Sequence, residues 1–162
     1  MDKIYDKLFP TEQETDDLKI FQKCVNLGWV SPHHLCSFGE INLDDFLPQT
    51  VGYIGRLDTT KNPIGKMELF GKINDIVLNT LNFIFGKCEG GVDDLLPLLT
   101  YVIIKSEPRC FSSHLKYIEL YYPDLGNGKE GQRLTMLTAI KERLLDFKDT
   151  DLNHISAEEY NR

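Results

Sequence analysis

Two adjacent carboxylates, Asp93 and Asp94, stand directly ahead of the most continuously apolar stretch of the chain, Leu95 to Ile104. Acids in that position can cap the exposed N–H groups of a helix start, worth about 0.5–2 kcal/mol, and by pattern alone this is the favoured reading. They can also present negative charge to something outside the domain. A second stretch, Gly128-Lys129-Glu130-Gly131-Gln132-Arg133-Leu134-Thr135, brings a hydroxyl to the start of a helix through a glycine-flanked loop. His33, His34 and Cys36 are close enough to suggest metal ligands, but no second cluster at ligand spacing follows to complete four, so no metal site is expected. The chain holds no Gly-x-Ser-x-Gly, His-Glu-x-x-His, phosphate-loop or Gly-x-Gly-x-x-Gly motif, which argues against bond-breaking catalysis.

The elements that must position these residues read as helices. After Asn62-Pro63, a cap residue with proline at the first helical position, Met67, Phe70, Ile73, Val77, Leu81 and Ile84 recur at steps of three and four, predicting one long helix ending near Gly86. Phe111, Leu115, Ile118 and Tyr122 mark a helix after the Pro108 turn, and Leu134, Leu137, Ile140, Leu144 and Phe147 mark another. Between these two, Pro123 to Gly131 reads as a loop. Thr11 with Glu14 and Ser156 with Glu159 have capping-box spacing, so helices should also begin near residues 12 and 157, and Ser31-Pro32 offers a further start with Trp29 as a packing anchor.

From Leu95 to Ile104 apolar residues fill nearly every position, as expected of a helix enclosed by others. Pro97 lies in its first turn, where little or no backbone hydrogen bonding is lost. Tyr101 and Ile104 are expected in the core, and Lys105 to complement the helix dipole. The predicted fold is an all-α, single compact domain of six to eight helices.

Composition narrows the class. The 162 residues are 41% hydrophobic and 27% charged, suited to one globular domain. With 25 acidic against 18 basic side chains and a net charge of −7, the charge has the wrong sign for gripping nucleic-acid phosphates or anionic membrane. The longest apolar run is about half of the roughly 20 residues a membrane span needs, and no secretory signal opens the chain. Four irregularly spaced cysteines, Cys24, Cys36, Cys88 and Cys110, suggest reduced thiols in a cytosolic protein.

One long ordered string carries a resemblance. Asp93-Asp94-Leu95-Leu96-Pro97, then Tyr101-Val102-Ile103-Ile104-Lys105 and Pro108, then Ser113-His114-Leu115-Lys116-Tyr117-Ile118, resembles the core signature of the Vps-nine domain, with His114 at a position where that family has asparagine. Ile4 to Glu12 resembles the domain's opening, Leu27 to Cys36 its Trp-Val-Thr-Pro helix start, and Asn62 to Lys66 its Pro-Arg-Asp-Lys turn, with Pro63 and Lys66 kept. Asp151 to Tyr160 is similar to the segment that follows the domain in Rabex-type exchange factors. The resemblance divides the chain into a domain over 1–150 and a short helical extension over 151–162.

What the resemblance implies is a guanine-nucleotide exchange factor for Rab-five-subfamily GTPases, all-α, monomeric, without cofactor or nucleic acid, cytoplasmic and recruited to early endosomal membranes through its partner. Asp93 would enter the nucleotide and magnesium site. Pro97, Thr135, Gln132, Asp94, His114 and Lys105 would form the GTPase-binding set. The family pattern Gly-Glu-acidic-Gly-Tyr-Tyr-x-Thr is met by the glycines and Thr135, while Gln132 and Arg133 replace both tyrosines. That departure keeps a second reading open, an exchange-inactive Rab-binding adaptor or decoy with the same domain shape.

Overall fold

The computed structural model describes residues 14–35, 47–85, 95–126 and 128–148. Among these residues there are six α-helices and no strand: α1 (Glu14–Asn26), α2 (Leu47–Arg56), α3 (Pro63–Phe85), α4 (Leu95–Ser106), α5 (Phe111–Tyr121) and α6 (Lys129–Leu145), with one 3-10 turn at Pro32–His34. The all-α expectation holds. Thr11, the Asp93-Asp94 pair, the Ser156 start and the extension over 151–162 lie outside the described residues.

Local chemistry accounts for the helix ends. Asn62 Oδ1 accepts the Ile64 N–H at 2.8 Å and Pro63 opens α3, as its sequence predicts. The helix that periodicity did not announce is α2, whose sequence contains Pro48, Gly52 and Gly55. Pro48 occupies the first turn, where its missing N–H costs little, and both glycines face open space while Thr50 and Ile54 turn inward. Sequence reading also draws the loop before α6 too long. The helix begins at Lys129, and Gly131 sits in its first turn because the chain just upstream folds over it. A Cβ there would lie 2.1 Å from the Gly126 carbonyl oxygen, and Gly126 itself turns at φ 44°.

The core is organised around α4, which packs against α1, α2, α3 and α6. Leu98 to Ile104 are therefore all buried, Tyr101 and Ile104 included, which is the physical reason this helix lacks a polar stripe. Phe70, Val77, Leu81, Phe111, Ile118, Ile140 and Leu144 complete the same core from α3, α5 and α6. Trp29 departs from its expected role. Its ring is 42% exposed and meets His34 edge-on at 5.5 Å, and the neighbouring Val30 takes the buried position.

Candidate functional site

Helices α4 and α6 pack together and carry the described part of the candidate site. Pro97 is half-buried in the first turn of α4. On α6, Arg133, Leu134 and Leu137 are buried, which turns Gln132 and Thr135, three residues apart, onto the exposed face. Thr135 Oγ1 donates to the Gly131 carbonyl at 3.0 Å, so its hydroxyl is held against the helix backbone with its oxygen still able to accept. Asp93 and Asp94 lie outside the described residues. Arg133 turns inward and lies flat over α3, where Gly71 leaves room. A Cβ on Gly71 would come within 2.9 Å of a guanidinium nitrogen, and that nitrogen donates to Glu130 Oε2 at 3.0 Å.

Two members of the predicted binding set point elsewhere. His114 is 1% exposed, so it meets the interior and not a partner. Its Nε2 lies 2.9 Å from Asp58 Oδ1 and its Nδ1 lies 3.0 Å from Lys66 Nζ. Lys105 lies in the last turn of α4, as expected of a residue that complements the helix dipole, and also reaches across to the end of α1. Its ammonium donates to the Gly28 carbonyl in the turn after α1 and sits 5.6 Å from the Tyr101 ring centre, and burial lowers its pKa.

The second half of the signature string is thus a set of internal ties. Ser113 gives both its backbone N–H, at 2.9 Å, and its hydroxyl to the buried Asp17 on α1. Burial raises the Asp17 pKa, opposed by the hydrogen bonds from Ser113 and the Ser112 backbone. Tyr117 donates its hydroxyl to the Lys61 carbonyl at 3.0 Å. Lys66 is fully buried and donates to the Leu57 carbonyl at 2.7 Å, with the Tyr117 ring centre 5.7 Å away. Desolvation pulls the Lys66 ammonium down to about 8, while Asp58 is held below the usual carboxylate range, first by its hydrogen bond from His114.

Asp17 and Asp58 escape sequence reading because their partners are 96 and 56 residues away. Lys66, Ser113, His114 and Tyr117 are legible as parts of the family's motifs, but nothing in the sequence pairs them with these acids.

No group of three or more potential metal ligands occurs among the described residues. Cys36 of the His33-His34-Cys36 trio lies outside the described residues, and His34 accepts the Ser31 N–H at Nδ1, 2.9 Å away, as part of the 3-10 turn. Cys24 and Cys110 are free thiols, with Cys24 pushed up to about 12 by burial. No helix among the described residues is long and apolar enough to cross a membrane.

An all-helical domain with an enclosed central helix and a polar face on its last helix is the class of protein these observations define. Residues 47–148, from α2 through α6, match the profile of the Vacuolar sorting protein 9 (VPS9) domain, and the chain belongs to that family. It is similar to the Rab5 GDP/GTP exchange factor of Homo sapiens, 26% identical over 172 aligned positions that cover 100% of this chain and 34% of the relative. The Bos taurus protein of the same name is likewise 26% identical with the same coverage. The GTPase-activating protein and VPS9 domain-containing protein 1 of Bos taurus is 24% identical over 155 positions, covering 92% of this chain and 11% of that relative. The chain therefore spans about a third of the length of the exchange-factor relatives it matches.

Proposed function

We propose that this chain is a guanine-nucleotide exchange factor for a Rab5-type small GTPase, releasing GDP without making or breaking a covalent bond. The observation that carries the reading is the VPS9 match over 47–148, which contains Asp93, Pro97 and Thr135 in one continuous domain. The exchange-factor relatives, similar along the whole chain, support the same class of activity.

In this reading Asp93 supplies the displacing charge. Two unit charges 4 Å apart interact by about 4 kcal/mol at an effective dielectric of 20, so one carboxylate opposing phosphate and magnesium would weaken nucleotide binding roughly a thousandfold. The domain then binds the nucleotide-free GTPase better than the loaded one, and that difference drives release. Pro97 shapes the contact surface, Asp94 adds its charge to the contact, and Gln132 and Thr135 meet the GTPase from α6. His114 and Lys105 serve as positioning residues, each held by internal partners. The protein works as a cytoplasmic monomer in endosomal traffic, brought to membranes through its partner.

A second reading, a Rab-binding adaptor without exchange activity, is favoured by one observation. Gln132 puts an exposed amide where the family pattern has an aromatic anchor. Release of a fluorescent guanine nucleotide from Rab5 and a panel of other Rab GTPases, with wild type and Asp93→Ala, separates the two. Acceleration that drops by two orders of magnitude or more in the variant is the expected result. Acceleration that survives the substitution overturns the acid-insertion mechanism, and tight binding to a nucleotide-free GTPase with no acceleration selects the adaptor.

A further inference from the structure

Lys66 on α3, Asp58 in the turn between α2 and α3, and His114 on α5 meet in one hydrogen-bonded chain. An ammonium only donates and a carboxylate only accepts. The imidazole between them must therefore accept at Nδ1 and donate from Nε2, which makes it neutral and fixes a single tautomer. A protonated ring would set an N–H donor against the Lys66 ammonium, 3.0 Å away, inside the protein. His114 also lines a cavity of about 170 Å³ shared with Ile54, Gly55, Pro108 and Arg109, so the ring and Asp58 have adjoining space into which to move. Glu107, in the linker on the cavity wall, already adopts a left-handed φ of 47°.

We infer that Lys66, His114 and Asp58 form a proton-gated latch between α5 and the α2–α3 turn, closed while His114 is neutral and released when His114 takes up a proton. This device is independent of the GTPase reading. Burial lowers the His114 pKa, so the ring binds a proton better once the latch opens than while it is closed. Opening then increases as pH falls below about 6.5, by up to roughly tenfold per pH unit, and the latch is closed at neutral pH.

The surrounding groups leave His114 as the gate. From α3, Lys66 is the neighbouring cation, and Asp58, in the turn, stays ionised because its pKa is lowered. The linker contributes Glu107, Arg109 and Cys110, and burial raises the Cys110 pKa. On α5, Tyr117 has a raised pKa, and from α1 comes Asp17, a carboxylate with a raised pKa bound to the adjacent Ser113. Across the cavity α2 presents Val51, Ile54 and Gly55.

Hydrogen–deuterium exchange on the full 162-residue chain at pH 7.5, 6.5 and 5.5, corrected for intrinsic rates, tests the latch at the amides of 57–60 and 112–115. Wild type should lose protection severalfold, up to about tenfold, between pH 7.5 and 5.5, and His114→Asn, whose amide does not titrate, should not. Asp17 is present in both proteins and cancels in the comparison. Equal pH dependence in the two, or none in wild type, overturns the latch. Nitrogen-15 chemical shifts of the wild-type His114 ring give a second readout if the variant does not fold. A neutral ring protonated at Nε2 at pH 7.5 is required, and an imidazolium or a proton on Nδ1 at that pH overturns it.

Discussion

Asp17 on α1 caps α5 from 96 residues away, its Oδ1 accepting the Ser113 backbone N–H at 2.9 Å and its Oδ2 the Ser113 hydroxyl. The residue at the usual capping position, Cys110, makes no side-chain cap of its own. The start of α5 is thus completed by tertiary structure, and one buried carboxylate couples the first described helix to the signature string.

Replacing Asp17 by alanine leaves two buried donors of Ser113 unpaired. A loss of about 2–4 kcal/mol is expected, read as a lower urea midpoint with unchanged slope. Asp17→Asn keeps one acceptor and should lose less than half of that. Equal losses in both variants would show that the charge, and not the hydrogen bonding, carries the contact.

Lys66 gives stability an unusual dependence on alkaline pH. Its folded pKa of about 8 lies below the ordinary lysine value of 10.5. Below about pH 8 both folded and unfolded chains hold the proton, and the cost of burying the ammonium is fully present. Between about 8 and 10.5 the folded chain releases the proton while the unfolded chain keeps it, so this residue favours folding increasingly as pH rises. Urea unfolding of wild type and Lys66→Met at pH 7.5 and 9.5 should show the difference moving in favour of wild type, by about 1 kcal/mol or more. A difference independent of pH would place the Lys66 pKa near its ordinary value.

Two glycines of the described helices should respond oppositely to alanine. Gly52 on α2 is exposed with open space around it, so Gly52→Ala should stabilise by about 0.5–1 kcal/mol. At Gly131 the Cβ would collide with the backbone oxygen of Gly126, and backbone cannot move aside as a flexible side chain can. Gly131→Ala should destabilise by about 1–3 kcal/mol, with a thermal midpoint lower by roughly 2–4 °C for each kcal/mol.

The exposed face of α6 separates binding from folding. Gln132→Tyr should leave the urea midpoint within about 0.5 kcal/mol of wild type, because the side chain points to solvent. On the exchange-factor reading it should raise affinity for nucleotide-free Rab5 by roughly thirtyfold, the worth of an aromatic anchor of about 2 kcal/mol. Affinity unchanged by the tyrosine would remove position 132 from the interface.

Helix type and most core positions were legible in the sequence, because Met67, Phe70, Ile73, Val77 and Leu81 repeat at the helical period and burial follows from that alone. The short α2 was not, since Pro48, Gly52 and Gly55 lower its intrinsic propensity and packing against α3 and α4 overrides it. The family, too, could be read from one ordered string of residues, and with it the candidates Pro97, Gln132 and Thr135.

Tertiary structure alone decided what each member of that string does. Ser113, His114 and Tyr117 lie among buried neighbours on α5, and their side chains are bound to Asp17, to Lys66 and Asp58, and to the Lys61 carbonyl. Helical periodicity reports how far a residue lies around a helix, not which distant group meets it there. A buried polar side chain must find a partner wherever the fold brings one, and these partners lie 48 to 96 residues away along the chain.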